Sequence, residues 1–210
     1  MKPLHECRLY TFVDTGYLRD RDPATIAQQL CEGGSDLIQL RAKDSTVDEI
    51  RRLAELLLPI TRAANVELVI NDHPQIAMAV GADLCHLGQE DYFDAGVSPG
   101  KVLFGLSSHA PEQALRAVDA DPAYIAVGPV YATGTKPAAK PVTLQYVRWA
   151  AENLKLPWFA IGGITLENID DVLAAGARRI CVVSAILNAP DIREACHQFK
   201  ERLASAPLES

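Results

Sequence analysis

The stretch Gln39-Leu40-Arg41-Ala42-Lys43 places an amide, a guanidinium and an ammonium at every second position. In an extended chain that spacing puts all three side chains on one face. A guanidinium fork beside a lysine point charge suits a diphosphate, although the motif alone also reads as a solvated loop. Asn71-Asp72 and the later run His86-Leu87-Gly88-Gln89-Glu90-Asp91 bring two carboxylates, Asp72 and Asp91, that could share one hard divalent cation. Magnesium takes one or two protein carboxylates and completes its shell with water and phosphate oxygens, so Mg2+ is the expected cofactor. Asp72 could instead cap a helix beginning at Pro74, and Asp91 could simply solvate a loop. His86 has no second histidine at ligand spacing and reads as a hydrogen-bonded structural residue.

Further anion-binding chemistry lies downstream. In Gly105-Leu106-Ser107-Ser108-His109, Ser107 could donate to a phosphate oxygen and His109 could act as an acid or base. The segment lacks the strained G-x-S-x-G elbow of a serine hydrolase. Thr133 and Thr135 flank Gly134 and precede Lys136, a pattern that reads as a flexible anion cradle. Lys140 extends the positive charge, and the stretch after Lys136 could serve as a lid. Gly162-Gly163 and Val182-Val183-Ser184 would let backbone N–H groups approach a second phosphate at a helix start. Tight strand-to-helix turning would explain the same glycines.

These residues need elements to hold them. Strands are predicted at 7–12, 36–40, 66–70, 84–87, 102–106, 124–127, 158–161 and 180–183. Helices are predicted near 23–32, 46–64, 74–80, 111–119, 143–154, 167–175 and 191–204. The connection at 92–100 allows at most a turn of helix, because Gly96, Pro99 and Gly100 interrupt it. Apolar strands alternating with helices indicate a parallel sheet covered by helices. Eight such units predict an α/β fold, a (β/α)₈ TIM barrel formed as one domain over residues 1–210, with a frayed tail after about residue 204. A doubly wound open sheet is the alternative, but its Gly-rich dinucleotide fingerprint is missing. In a barrel, each motif above falls at the C-terminal end of a strand, where barrel chemistry gathers.

Composition narrows the classes. The net charge of −7 argues against broad nucleic-acid binding. No apolar run approaches the ~20 residues of a membrane span, and the first residues show no secretory pattern. The cysteines (Cys7, Cys31, Cys85, Cys181 and Cys196) show no CxxC or Cys/His metal spacing, which points to a reducing, cytoplasmic setting. A homo-oligomer is left open.

Taken in order, QLRAK (39–43), VIND (69–72), GADLCHLGQED (81–91), GLSSH (105–109), GPVYATGTK (128–136), AIGGIT (160–165) and VVSAI (182–186) resemble the thiamine phosphate synthase family from about Leu9 to Leu203. The resemblance implies a transferase with two small phosphorylated substrates, a hydroxymethylpyrimidine diphosphate and a thiazole phosphate. It places the first against Gln39, Arg41, Lys43, Asn71, Ser107 and Lys136, and the second against Thr133, Thr135, Gly163, Val183 and Ser184. It makes Asp72 and Asp91 magnesium ligands. Arg41, Lys43 and Lys136 would stabilise the departing diphosphate, and no covalent nucleophile is required. Ala132 departs from the family by replacing a proline, and PAAKPVT (137–143) lacks a common glycine. A thiazole tautomerase of the same barrel group and a non-catalytic phosphate-binding barrel are the alternatives.

Overall fold

The computed structural model describes residues 2–134 and 141–206. Its strands are β1 (Leu9–Asp14), β2 (Leu37–Arg41), β3 (Glu67–Asn71), β4 (Leu84–Leu87), β5 (Leu103–Ser108), β6 (Tyr124–Val127), β7 (Trp158–Ile161) and β8 (Ile180–Cys181). They close in sequence order into a parallel barrel, with β8 pairing back onto β1 through Leu9–Ile180 and Tyr10–Cys181. The helices are α1 (Pro23–Glu32), α2 (Val47–Ala63), α3 (Pro74–Val80), α4 (Pro111–Asp119), α5 (Thr143–Asn153), α6 (Ile169–Ala174), α7 (Ser184–Leu187) and α8 (Ile192–Ala204). No helix among the described residues is long and apolar enough to cross a membrane.

Local signals account for most boundaries. Asp22 accepts from the Thr25 backbone N–H and Pro23 fills the first turn, starting α1. Thr46 and Glu49 form a reciprocal capping box at α2. Gly81 ends α3 at φ +74, a left-handed cap that turns the chain toward β4. The same turn before β6 is made by a non-glycine residue, Asp121 at φ +52, a residue type that tolerates the left-handed region.

Most other boundaries fall within two residues of expectation, α7 is an additional short helix, and three departures have a tertiary reason. β1 runs on to Asp14 because its pairing with β2 continues through Asp14–Arg41. β8 is shorter than predicted: Val182 still donates to the Tyr10 carbonyl at 2.9 Å, but Val183 at ψ −84 bends the chain into α7. The weak fourth connection holds a π-helical turn at Glu90–Asp94, earlier than the 92–100 window. Aromatic packing holds that turn, with Tyr92 stacked on Phe104 at 5.4 Å and the Arg116 guanidinium 3.8 Å over the Phe93 ring.

Side chains fill the barrel's interior. Tyr10, Tyr124 and Phe159 meet edge to face with ring centroids 5.5–5.7 Å apart. Gly105 on β5 faces this cluster, and any Cβ there would enter the Tyr124 ring. At the barrel's N-terminal end the buried Asp36 carboxylate accepts from the Arg8 and Leu9 backbone N–H groups and from Lys2 and Lys200. That network ties β1 and α8 to the start of β2. It leaves the C-terminal end of the strands for chemistry.

Candidate active site

A cavity open to solvent lies over the C-terminal ends of the strands. Its wall gathers Gln39, Arg41, Lys43, Asn71, Asp72, Asp91, Ser107, Thr133, Gly163, Val183 and Ser184. Thr135, Lys136 and Lys140, with the lid expected there, lie outside the described residues, as does the tail beyond residue 206.

The cationic wall is built by β2. Period-2 alternation turns Gln39 and Arg41 inward, and Lys43 follows them just past the strand. Arg41 Nη1 donates to Asp14 Oδ2 at 2.8 Å, and Asp14 is only 1% exposed. The other Asp14 oxygen accepts from the Gly16 backbone N–H at 3.0 Å. This carboxylate aims the guanidinium fork across the cavity mouth. Asp14 escapes sequence reasoning because the expected strand, 7–12, ends two residues short of it. The readable signal was a single acid directly after TFV.

The acidic side follows from β3 and β4. Asp72 takes φ +62, a left-handed conformation uncommon outside glycine. Its backbone N–H donates to the His86 carbonyl at 2.9 Å. Its Oδ2 accepts from Asn71 Nδ2 at 2.6 Å and pairs with Lys43 Nζ at 2.8 Å. The capping alternative for Asp72 fails, since the residue preceding α3 is His73 and it makes no side-chain cap. Asp91 sits on the π-helical turn with its Oδ2 packed over the Gly88 Cα, where a side chain at 88 would displace it. Among the described residues no cluster of three or more His, Cys, Asp or Glu could hold a metal. Two separate carboxylates facing one cavity nonetheless match the donor set of a magnesium ion that takes its other ligands from water and phosphate.

His86 is hydrogen-bonded as expected, between the Tyr124 hydroxyl and Ser107 Oγ, but it also lines the cavity. His109 lines the cavity too, with Nδ1 against the Gly128 carbonyl. A carbonyl only accepts, so Nδ1 carries the proton and Nε2 is the basic nitrogen of the neutral ring.

The opposite wall comes from β6, β7 and β8. Val130 and Tyr131 donate to the Ile161 and Gly162 carbonyls at 2.8 and 3.0 Å, which locks the two exit loops together. Gly163, at φ +64, packs against Ala132 and Tyr131 so closely that a Cβ would collide with both. Asn168 Nδ2 holds the Gly163 carbonyl at 2.9 Å, and Asn168 Oδ1 accepts from the Thr165 backbone N–H. Asn168 is a supporting residue that sequence reasoning missed. No thiol offers a nucleophile: burial pushes Cys7, Cys85 and Cys196 up to about 12, Cys31 up to about 11, and Cys181 up as well.

A closed parallel barrel whose strand ends gather cations, carboxylates and glycine loops around one cavity defines a (β/α)₈-barrel enzyme of small-molecule chemistry. The family model described as thiamine monophosphate synthase matches residues 9–186, and the chain belongs to that family. A thiamine-phosphate synthase of Thermus thermophilus is 49% identical, over 81% of this chain and 84% of that protein. One from Acidothermus cellulolyticus is 42% identical, over 97% and 98%. Among solved structures, a thiamine phosphate pyrophosphorylase from Pyrococcus furiosus superposes with TM-score 0.84 at 26% identity, covering 98% of this chain and 99% of that one.

Proposed function

We propose that this cavity joins a hydroxymethylpyrimidine diphosphate to a thiazole phosphate with the help of one magnesium ion, releasing diphosphate. The chain is a transferase of thiamine biosynthesis, and thiamine phosphate synthesis is the activity its family and relatives name. The substrates' placement and the metal are the finer reading. What carries it is the pairing of two walls in one cavity: Arg41 and Lys43 beside the cation-suited Asp72 and Asp91 on one side, Thr133, Gly163 and Ser184 on the other.

Asp72 and Asp91 would hold magnesium, which supplies charge neutralisation on the diphosphate. Arg41, aimed by Asp14, and Lys43 stabilise negative charge on the departing oxygens, a role the family resemblance also gives Lys136. The aminopyrimidine ring donates electrons to its methylene as the carbon–oxygen bond breaks, and the thiazole nitrogen's lone pair forms the new carbon–nitrogen bond. No proton need be removed from that nitrogen and no enzyme nucleophile takes part, which fits the absence of an activated thiol among the cysteines. Holding both substrates in line supplies much of the rate.

The test is coupled synthesis from both phosphorylated substrates with and without a chelator, on the natural chain and on Asp72→Ala and Asp91→Ala. Thiamine phosphate should form only with magnesium, and each variant should lose on the order of 10²-fold in kcat/KM. An unchanged rate and metal dependence in both variants would remove the metal assignment. No product from the natural chain would remove the condensation itself and favour a tautomerase using His109.

A further inference from the structure

Beneath the cavity, side chains from five strands form one unbroken hydrogen-bonded line. Gln39 Nε2 donates to the Tyr10 hydroxyl oxygen at 2.5 Å. The Tyr10 and Tyr124 hydroxyls are 2.9 Å apart. The Tyr124 hydroxyl is 3.0 Å from His86 Nδ1, and His86 Nε2 is 2.9 Å from Ser107 Oγ. All five residues are buried, with none more than 9% exposed. Gln39 and Ser107, the two ends, both line the cavity.

Each phenol has a single hydrogen, so a line in which no hydrogen is wasted has one direction. Tyr10 receives from Gln39, and the arrangement that spends every hydrogen within the line sends the Tyr10 hydrogen to Tyr124. Tyr124 receives from Tyr10 and gives its hydrogen to His86 Nδ1. A neutral imidazole that accepts at Nδ1 carries its proton on Nε2, which donates to Ser107 Oγ. The Ser107 hydrogen is then directed away from His86. Bonds aligned head to tail in a dry interior reinforce one another.

We propose that Tyr10, Tyr124 and His86 are positioning residues that set the donor–acceptor polarity of the cavity floor. They make Gln39 present its carbonyl oxygen as an acceptor and Ser107 its hydroxyl hydrogen as a donor. Such a floor fits the edge of a flat heteroaromatic amine, with the amine N–H toward Gln39 and a lone pair toward Ser107. The opposite polarity would set the Gln39 NH₂ against the amine hydrogens and disfavour it. The match to the pyrimidine substrate rests on the functional reading above; the polarity itself does not.

Two measurements test this. On substrate-free protein with ¹⁵N-labelled histidine, long-range proton–nitrogen correlation spectra, assigned with His86→Asn, should show His86 as the Nε2–H tautomer. An Nδ1–H tautomer or an imidazolium at neutral pH would overturn the proposal. Tyr124→Phe keeps the ring that fills the core but cuts the line. It should give mixed His86 tautomers and raise KM for the pyrimidine diphosphate about tenfold, with KM for the thiazole phosphate unchanged. Both KM values unaltered, or both altered alongside a fall in thermal midpoint, would reduce Tyr124 to a core residue and overturn its positioning role. A natural chain that makes no thiamine phosphate yet shows the Nε2–H tautomer would sink the functional reading while upholding the polarity.

Discussion

Arg41 carries the cavity's fork-shaped charge, and the buried Asp14 decides where that fork points. A carboxylate 2.8 Å from Nη1 and 2% exposed at its side chain costs desolvation, which the Arg41 bond and the Gly16 N–H offset. Replacing Asp14 with Asn preserves shape but removes the charge that aims Arg41. Steady-state kinetics of Asp14→Asn should therefore show kcat/KM for the diphosphate substrate lowered about tenfold, with the thermal midpoint little changed. Arg41→Lys should fall by at least as much, because an ammonium cannot reproduce the planar fork. If both variants keep natural kinetics, the pair is only structural. The types of Gln39, Arg41, Lys43, Asp72 and Asp91 are legible in sequence because the barrel plan puts all of them at the C-terminal ends of strands. Asp14 was hidden by a strand end that only β2 pairing extends.

Among elements, β5 shows how backbone and site depend on one another. Gly105 lacks a side chain because the Tyr124 ring from the neighbouring β6 occupies that space. Gly105→Ala should destabilise the protein by about 1–3 kcal/mol through overpacking, read as a lower midpoint in thermal or denaturant unfolding. By pushing the Tyr124 hydroxyl off His86, it should also shift the His86 tautomer in the spectra described above. An alanine variant as stable as the natural chain would show that the ring moves freely. β4, β6 and β7 match their predicted bounds, since each is a short apolar run bracketed by turn residues. β8 does not, because its last predicted residues bend away to start α7, a choice made by neighbouring strands rather than by Val182 and Val183.

Over the whole molecule, the barrel separates stability from chemistry along its axis. Glu67 at the N-terminal end of β3 is 4% exposed; burial, then the Asp83 charge beside it, pushes its carboxyl up to about 7 from an ordinary 4.5. The folded state thus holds this proton more tightly than the unfolded chain. Its contribution is full below about pH 4.5 and is lost as pH rises through about 7, a difference on the order of 1–3 kcal/mol. Glu67→Gln should flatten that slope in denaturant midpoints taken from pH 5 to 8, while leaving synthesis at the far end unchanged. A variant with the natural slope would assign the pH dependence elsewhere.

By itself the sequence determined the alternation of strands and helices, the closed eight-fold plan and the chemical types at the strand ends. Periodicity, caps and turn residues are local, and motifs such as QLRAK and VIND declare their chemistry when read in order along the chain. Only the tertiary structure decided which charges meet. Asp14 on Arg41, Lys43 on Asp72 and Tyr124 on His86 join residues 27, 29 and 38 positions apart. Such pairings depend on strand register and barrel closure, which are set by packing across the sheet and leave no mark at either residue alone.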